Sequence, residues 1–120
     1  MVISEPILDI TPAQAIEQLS RDFALSAQEL AGALDASPRT IERWRKSETY
    51  PQHETRQRLA VLIGLDRRLR ETFEATNAIR DWLHLPSRYL GGLTPADAIR
   101  VGRVDRVDAA LEALESGVFV

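Results

Sequence analysis

Apolar residues recur along most of this chain at intervals of three and four, the spacing that lines one face of an α-helix, and nowhere in the alternation of a half-buried strand. In TPAQAIEQLSRDF the stripe is Ile16, Leu19 and Phe23. The residues before it mark a helix start, with Thr11 as N-cap, Pro12 in the first position and Gln14 completing a capping box. SAQELAGALDA repeats the grammar, with Ser26 and Glu29 as the box, Leu30, Ala33 and Leu34 facing inward, and Asp35-Ala36 breaking the run. SPRTIERWRKSE opens on Ser37 and Pro38 and carries Ile41, Trp44 and Arg45 at i, i+3 and i+4.

After a loop over 48–52, HETRQRLAVLIGLDRRLRETF predicts the longest helix, striped by Leu59, Leu62, Ile63 or Leu65, Leu69 and Phe73. Gly64 inside it weakens the helix by about 1 kcal/mol relative to Ala, which points to a close packing contact there. Thr76 is expected to cap a shorter helix through Ile79, Trp82 and Leu83 that stops before Pro86. A linker with Gly91-Gly92 at its centre leads to Thr94, Pro95 and Asp97, the start of a helix that stops at Gly102. Val104, Val107, Leu111 and Leu114 then share one face of a final helix ended by Gly117. The pattern predicts an all-α fold, with N-terminal helices joined by a long helix to a small helical domain. The two units are expected over 1–75 and 76–120.

Composition narrows the class. At 120 residues, with 44% hydrophobic and 28% charged, the chain suits one compact globular unit. It has no cysteine, which excludes disulfides and thiolate zinc sites and suits a reducing cytoplasm. No basic stretch followed by a long apolar run marks a signal peptide, and no membrane association is expected. His53 and His84 lie in no metal-ligand spacing, and Ser26 and Ser37 read as caps, not nucleophiles. No catalytic residue, metal or cofactor is expected, and the chain does not read as an enzyme.

Net charge is −3, yet it is unevenly spread. Residues 1–36 hold Arg21 against six acids, whereas 37–58 hold Arg39, Arg43, Arg45, Lys46, Arg56 and Arg58 against three. Two short capped helices, the second of them basic, form the pattern of a helix-turn-helix. Entering a major groove end-on, the second helix would bring Arg39, Thr40 and Arg43 to base edges. Ser37 would hold a phosphate at the helix N-terminus, with Arg45, Lys46, Arg56 and Arg58 on the backbone. Ile41 and Trp44 belong to the core. The stretch LSAQELAGALDASPRTIERWRKSETYP resembles the Xre-like helix-turn-helix family, over about a quarter of the chain. It departs from that family where a Gly commonly follows the tryptophan-bearing helix, since Ser47 and Glu48 stand there, and Glu42 and Glu48 oppose phosphate binding.

WLHLPSRYLGGLTPADAIRVGRVDRVDAALEALESGVFV resembles the toxin-binding domain of the MbcA/ParS/Xre antitoxins. The shared features are Trp82, Leu83, Pro86, Leu90, Gly91 or Gly92, Thr94-Pro95, Ile99, Gly102, Val107, Leu111, Leu114 and Gly117-Val118-Phe119. The resemblance implies an antitoxin of a type II toxin-antitoxin system. Its partner would be a RES-domain toxin that consumes NAD, as an NADase, NAD phosphorylase or ADP-ribosyltransferase. The C-terminal domain and tail would occlude the toxin's active site. A homodimer within a hetero-oligomeric complex, presenting two recognition helices to the operator DNA of its own operon, would add autorepression. On this reading Gly117 releases Val118, Phe119 and Val120 into the toxin's cleft, and Arg100, Arg103 and Arg106 form a polar rim for the partner. The alternative is a dimeric helix-turn-helix transcriptional regulator without a toxin partner.

Overall fold

The computed structural model describes residues 7–117. Among them are seven helices and no strand. These are α1 (Pro12–Phe23), α2 (Ala27–Leu34), α3 (Pro38–Arg45), α4 (His53–Thr72), α5 (Thr76–Leu83), α6 (Pro95–Arg100) and α7 (Val104–Ser116). The caps follow from local chemistry. Thr11 with Gln14, Ser26 with Glu29 and Thr94 with Asp97 each close a reciprocal box, so two otherwise orphaned N–H groups are satisfied at each start. At α5 the cap position is Ala75 and Thr76 is already helical, with no side-chain cap bond. The expected Thr76 cap is therefore displaced by one residue, and its hydroxyl instead lies 3.4 Å from Arg70 Nη2.

One apolar cluster runs from Ala15 in α1 through Leu30, Ile41, Trp44, Leu59, Leu69, Ile79 and Ile99 to Leu111 in α7. α1 packs against α3, α4 and α5, while α2 packs against α3, α4 and α6, and α7 closes on α4 and α6. Fully burying each such Leu, Ile or Phe is worth roughly 1.5–3 kcal/mol. α5 also ends α1: Arg80 Nε donates to the Arg21 carbonyl at 2.8 Å and His84 Nε2 donates to the Phe23 carbonyl at 2.8 Å. Those carbonyls belong to the last turn of α1, which has no intrahelical donor for them.

Three expectations about single positions are corrected. Gly64 is exposed, and a Cβ there would meet nothing within 4 Å. The close approach belongs to Gly32 in α2, where a Cβ would overlap the Arg100 carbonyl oxygen of α6. Phe73 lies just past α4 in extended backbone, half-buried against Trp82 with ring centroids 5.8 Å apart. Leu114 does not join the core stripe of α7: it is 40% exposed.

Two buried carboxylates at the α1–α4 contact escaped the sequence reading. Asp22 and Asp66 are almost wholly shielded. Arg70 Nη2 reaches Asp22 at 2.8 Å and Arg70 Nε lies 3.4 Å from Asp66 Oδ1, while Arg21 pairs with Asp22 at 3.2 Å. Gln18 donates to Asp66 Oδ2 at 2.9 Å. Burial, reinforced by Asp22, pushes the Asp66 carboxyl up to about 6. Burial acts on Asp22 too, but hydrogen bonds from Asp66, Arg70 and Arg21 outweigh it and hold that carboxyl below its usual value. Like charges in one buried cluster do not both ionise easily, so Asp66 holds its proton to a higher pH than a free carboxyl does.

Candidate nucleic-acid and partner-binding surfaces

α2 and α3 are the two helices expected to act as a helix-turn-helix. Asp35, left-handed at φ 53, ends α2, and Ser37 starts α3 by accepting the Thr40 N–H at 3.1 Å. Ser37 Oγ also shares a 2.9 Å hydrogen bond with Thr40 Oγ1, so both hydroxyls expected at phosphate and base are already engaged with each other. Ile41 and Trp44 are buried, as their spacing requires. Ser47 takes φ 60, the left-handed conformation for which glycine is favoured. The turn after α3 thus keeps its shape without the glycine, held by Glu48 N–H to the Arg43 carbonyl at 2.9 Å.

The outer side of α3 gathers Arg39, Arg43 and Lys46 around one shallow depression, together with Glu42 and Glu48. Arg43 lies 4.0 Å from Glu48 and Lys46 lies 3.9 Å from Glu42. Arg45 is drawn away to α1, 2.7 Å from Glu17. Arg58 pairs with Glu54 at 3.4 Å, and Arg56 donates to the Pro51 carbonyl at 2.7 Å while its guanidinium lies 5.2 Å from the Tyr50 ring centroid. Among the described residues Arg39 has no acid within 4 Å. Exposed pairs of this kind are worth about 0–1 kcal/mol, weak enough for a phosphate to displace the glutamates, though Glu42 and Glu48 remain beside it.

The turn from α6 into α7 brings Arg100, Arg103 and Arg106 around a groove of about 260 Å³. Its apolar lining includes Leu90 and Ala98, with Leu93 and Val101 each 60% exposed. Arg103 forms a two-pronged pair with Asp105, both contacts at 2.9 Å, which pulls the Asp105 carboxyl below its usual range. Asp97 is likewise lowered, mainly by the Thr94 backbone N–H of its capping box. Arg100 and Arg106 have no acid within 4 Å among the described residues. The groove is therefore apolar inside and positive at its edge.

A second groove, about 220 Å³, opens between α7 and the α5–α6 connection, with Trp82, Leu85, Pro86 and Tyr89 facing Ala110, Ala113 and Leu114. α7 ends at Gly117 with φ 73, a conformation that lets the chain leave helix geometry. Val118, Phe119 and Val120 lie outside the described residues. Among the described residues no cluster of His, Cys, Asp or Glu has the makeup of a metal site, and no helix is long and apolar enough to cross a membrane.

The sequence profile of the antitoxin Xre/MbcA/ParS C-terminal toxin-binding domain matches residues 68–117, a span that contains both grooves. Mycobacterial cidal antitoxin MbcA of Mycobacterium tuberculosis and of Mycobacterium bovis is 36% identical over 114 residues, covering 95% of this chain and 96% of the relative. The chain belongs to the Xre/MbcA/ParS antitoxin family. A chain of the crystal structure of the M. tuberculosis MbcT-MbcA toxin-antitoxin complex superposes on this antitoxin with a TM-score of 0.65 at 32% identity, covering 90% of this chain and 96% of that one. A further relative, a probable mycobacterial cidal antitoxin of M. tuberculosis, is 28% identical over 108 residues. The likeness reaches the N-terminal helices as well as the C-terminal ones, and the all-helical architecture agrees with the one expected from the sequence.

Proposed function

We propose that this antitoxin neutralises a RES-domain toxin that consumes NAD, by laying its C-terminal unit, 76–120, over the toxin's active site. The observation that carries this is the arginine-rimmed apolar groove inside the segment that matches a toxin-binding domain. Leu93 and Val101 offer apolar contact there, while Arg100 and Arg106 remain available for carboxylates at the partner's edge. Gly117 directs Val118, Phe119 and Val120 toward the substrate cleft. Three extended residues reach about 10 Å at roughly 3.3 Å each.

Operator binding by 1–75, with the protein as a homodimer inside the toxin complex, is the second half of this reading. The shared face of Arg39, Arg43 and Lys46 supports it. The acid partners of Arg43, Arg45 and Lys46 favour a weaker grip on DNA than the basic count suggests.

The test is coexpression with the product of the neighbouring gene. A RES-domain protein that copurifies and loses its NAD-consuming activity supports the reading. Full toxin activity in the presence of an intact complex would overturn active-site occlusion. Operator binding with no copurifying partner would leave a dimeric helix-turn-helix regulator.

A further inference from the structure

The groove beside α7 exposes more apolar surface than its neighbours require. Leu85 is 60% exposed and Leu114 40%, and both line the groove together with Trp82. Exposed apolar side chains gathered around one groove make it a candidate contact surface. What covers it is indicated by the end of α7. Gly117 takes φ 73, and its N–H points back to the carbonyls of Ala113 and Leu114. A helix closed in this way turns the following chain back over its last turn, and an apolar residue placed there packs on side chains one turn earlier. The residue that follows is Val118, and Ala113 and Leu114 are one wall of the groove.

Phe119 comes next. One further residue of extended chain spans about 3.3 Å, and a groove of about 220 Å³ has room for a phenyl side chain. Trp82 already holds Phe73 at 5.8 Å in a tilted arrangement, within the range aromatic pairs prefer. We infer that Val118 and Phe119 occupy this groove of their own subunit before any partner arrives. Joined to the proposed function, on which this consequence rests, the toxin competes with the groove for the same two residues. The antitoxin's apparent affinity is then lowered by the fraction of molecules in which they are docked.

The experiment compares the free full chain, a chain stopped after Gly117 and Phe119→Ala by NMR. The Trp82 indole and the Leu85 and Leu114 methyls are expected to shift in both variants, while the buried Trp44 indole does not. In the full chain, cross-peaks should link the Phe119 ring to Leu85 and Leu114 and persist on tenfold dilution. Identical Trp82 and Leu114 signals in all three proteins overturn the inference, as do cross-peaks lost on dilution, which would place a second copy's residues there. Inhibition of the toxin by the shortened chain is read separately: retained inhibition defeats insertion into the toxin and leaves the docking result untouched.

Discussion

Gly32 of α2 lies so close to the main-chain carbonyl of Arg100 in α6 that no side chain fits between them. This contact fixes how closely α2, which leads into α3, sits on α6, which carries the arginine-rimmed groove. In Gly32→Ala, alanine's better helix propensity gains about 1 kcal/mol, but forcing the helices apart costs roughly 1–3 kcal/mol. The net expectation in urea denaturation is destabilisation. Gly64→Ala is the control, since it meets nothing within 4 Å. It should stabilise the protein by roughly 0.5–1 kcal/mol.

Asp66 makes stability depend on pH. Its folded-state carboxyl titrates near 6 instead of 3.8. The stability it contributes is complete below its ordinary value and is lost as pH rises through about 6. Asp22 is shifted the other way, so its contribution is present at neutral pH and lost in acid. Asp66→Asn keeps an N–H donor for Asp22 without a charge to bury. Relative to the natural chain it should gain up to roughly 2–3 kcal/mol between pH 4 and pH 7.5. Urea midpoints at several pH values across that interval measure the gain, and a constant difference would contradict a raised Asp66.

On α3, Arg39 has no acid within 4 Å among the described residues, whereas Arg45 is held by Glu17. Arg39→Ala should weaken operator binding by roughly 1–3 kcal/mol, and Arg45→Ala by less. Glu42→Gln should tighten binding by freeing Lys46. Fluorescence anisotropy over a salt series separates these effects, since each phosphate contact contributes about 0.9 to the slope.

The rim of the C-terminal groove makes a parallel prediction for the toxin. Arg100→Glu and Arg106→Glu should each weaken the complex by about 0.5–1 kcal/mol, mostly through slower association. Arg103→Glu also faces Asp105 at close range and is expected to disturb the start of α7 as well. Surface plasmon resonance at low and high salt distinguishes the two outcomes.

What was legible in the sequence was whatever local chemistry decides. Thr11, Ser26, Ser37 and Thr94 mark helix starts because each side-chain oxygen needs only the N–H three residues on. Ile41, Trp44, Val107 and Leu111 were legible as core because spacing alone puts them on one face. Contacts between distant segments were not. Gly32 and Gly64 look alike along the chain, and only the packing of α6 on α2 separates them. Asp22 and Asp66 read as ordinary polar positions of amphipathic helices until α1 and α4 meet. At the candidate DNA surface the cations were visible in sequence, but not the neutralisation of Arg45 by Glu17, which lies 28 residues away.

The grip of Arg80 and His84 on the end of α1 bears on how such proteins exchange parts. A recombination joint at residue 75 strands the Arg21 and Phe23 carbonyls wherever the foreign helix lacks the donors that Arg80 and His84 supply here. A joint just past His84 carries both donors along with their acceptors. Chimeras that trade N-terminal helices among relatives should therefore tolerate the later crossover more readily than the earlier one.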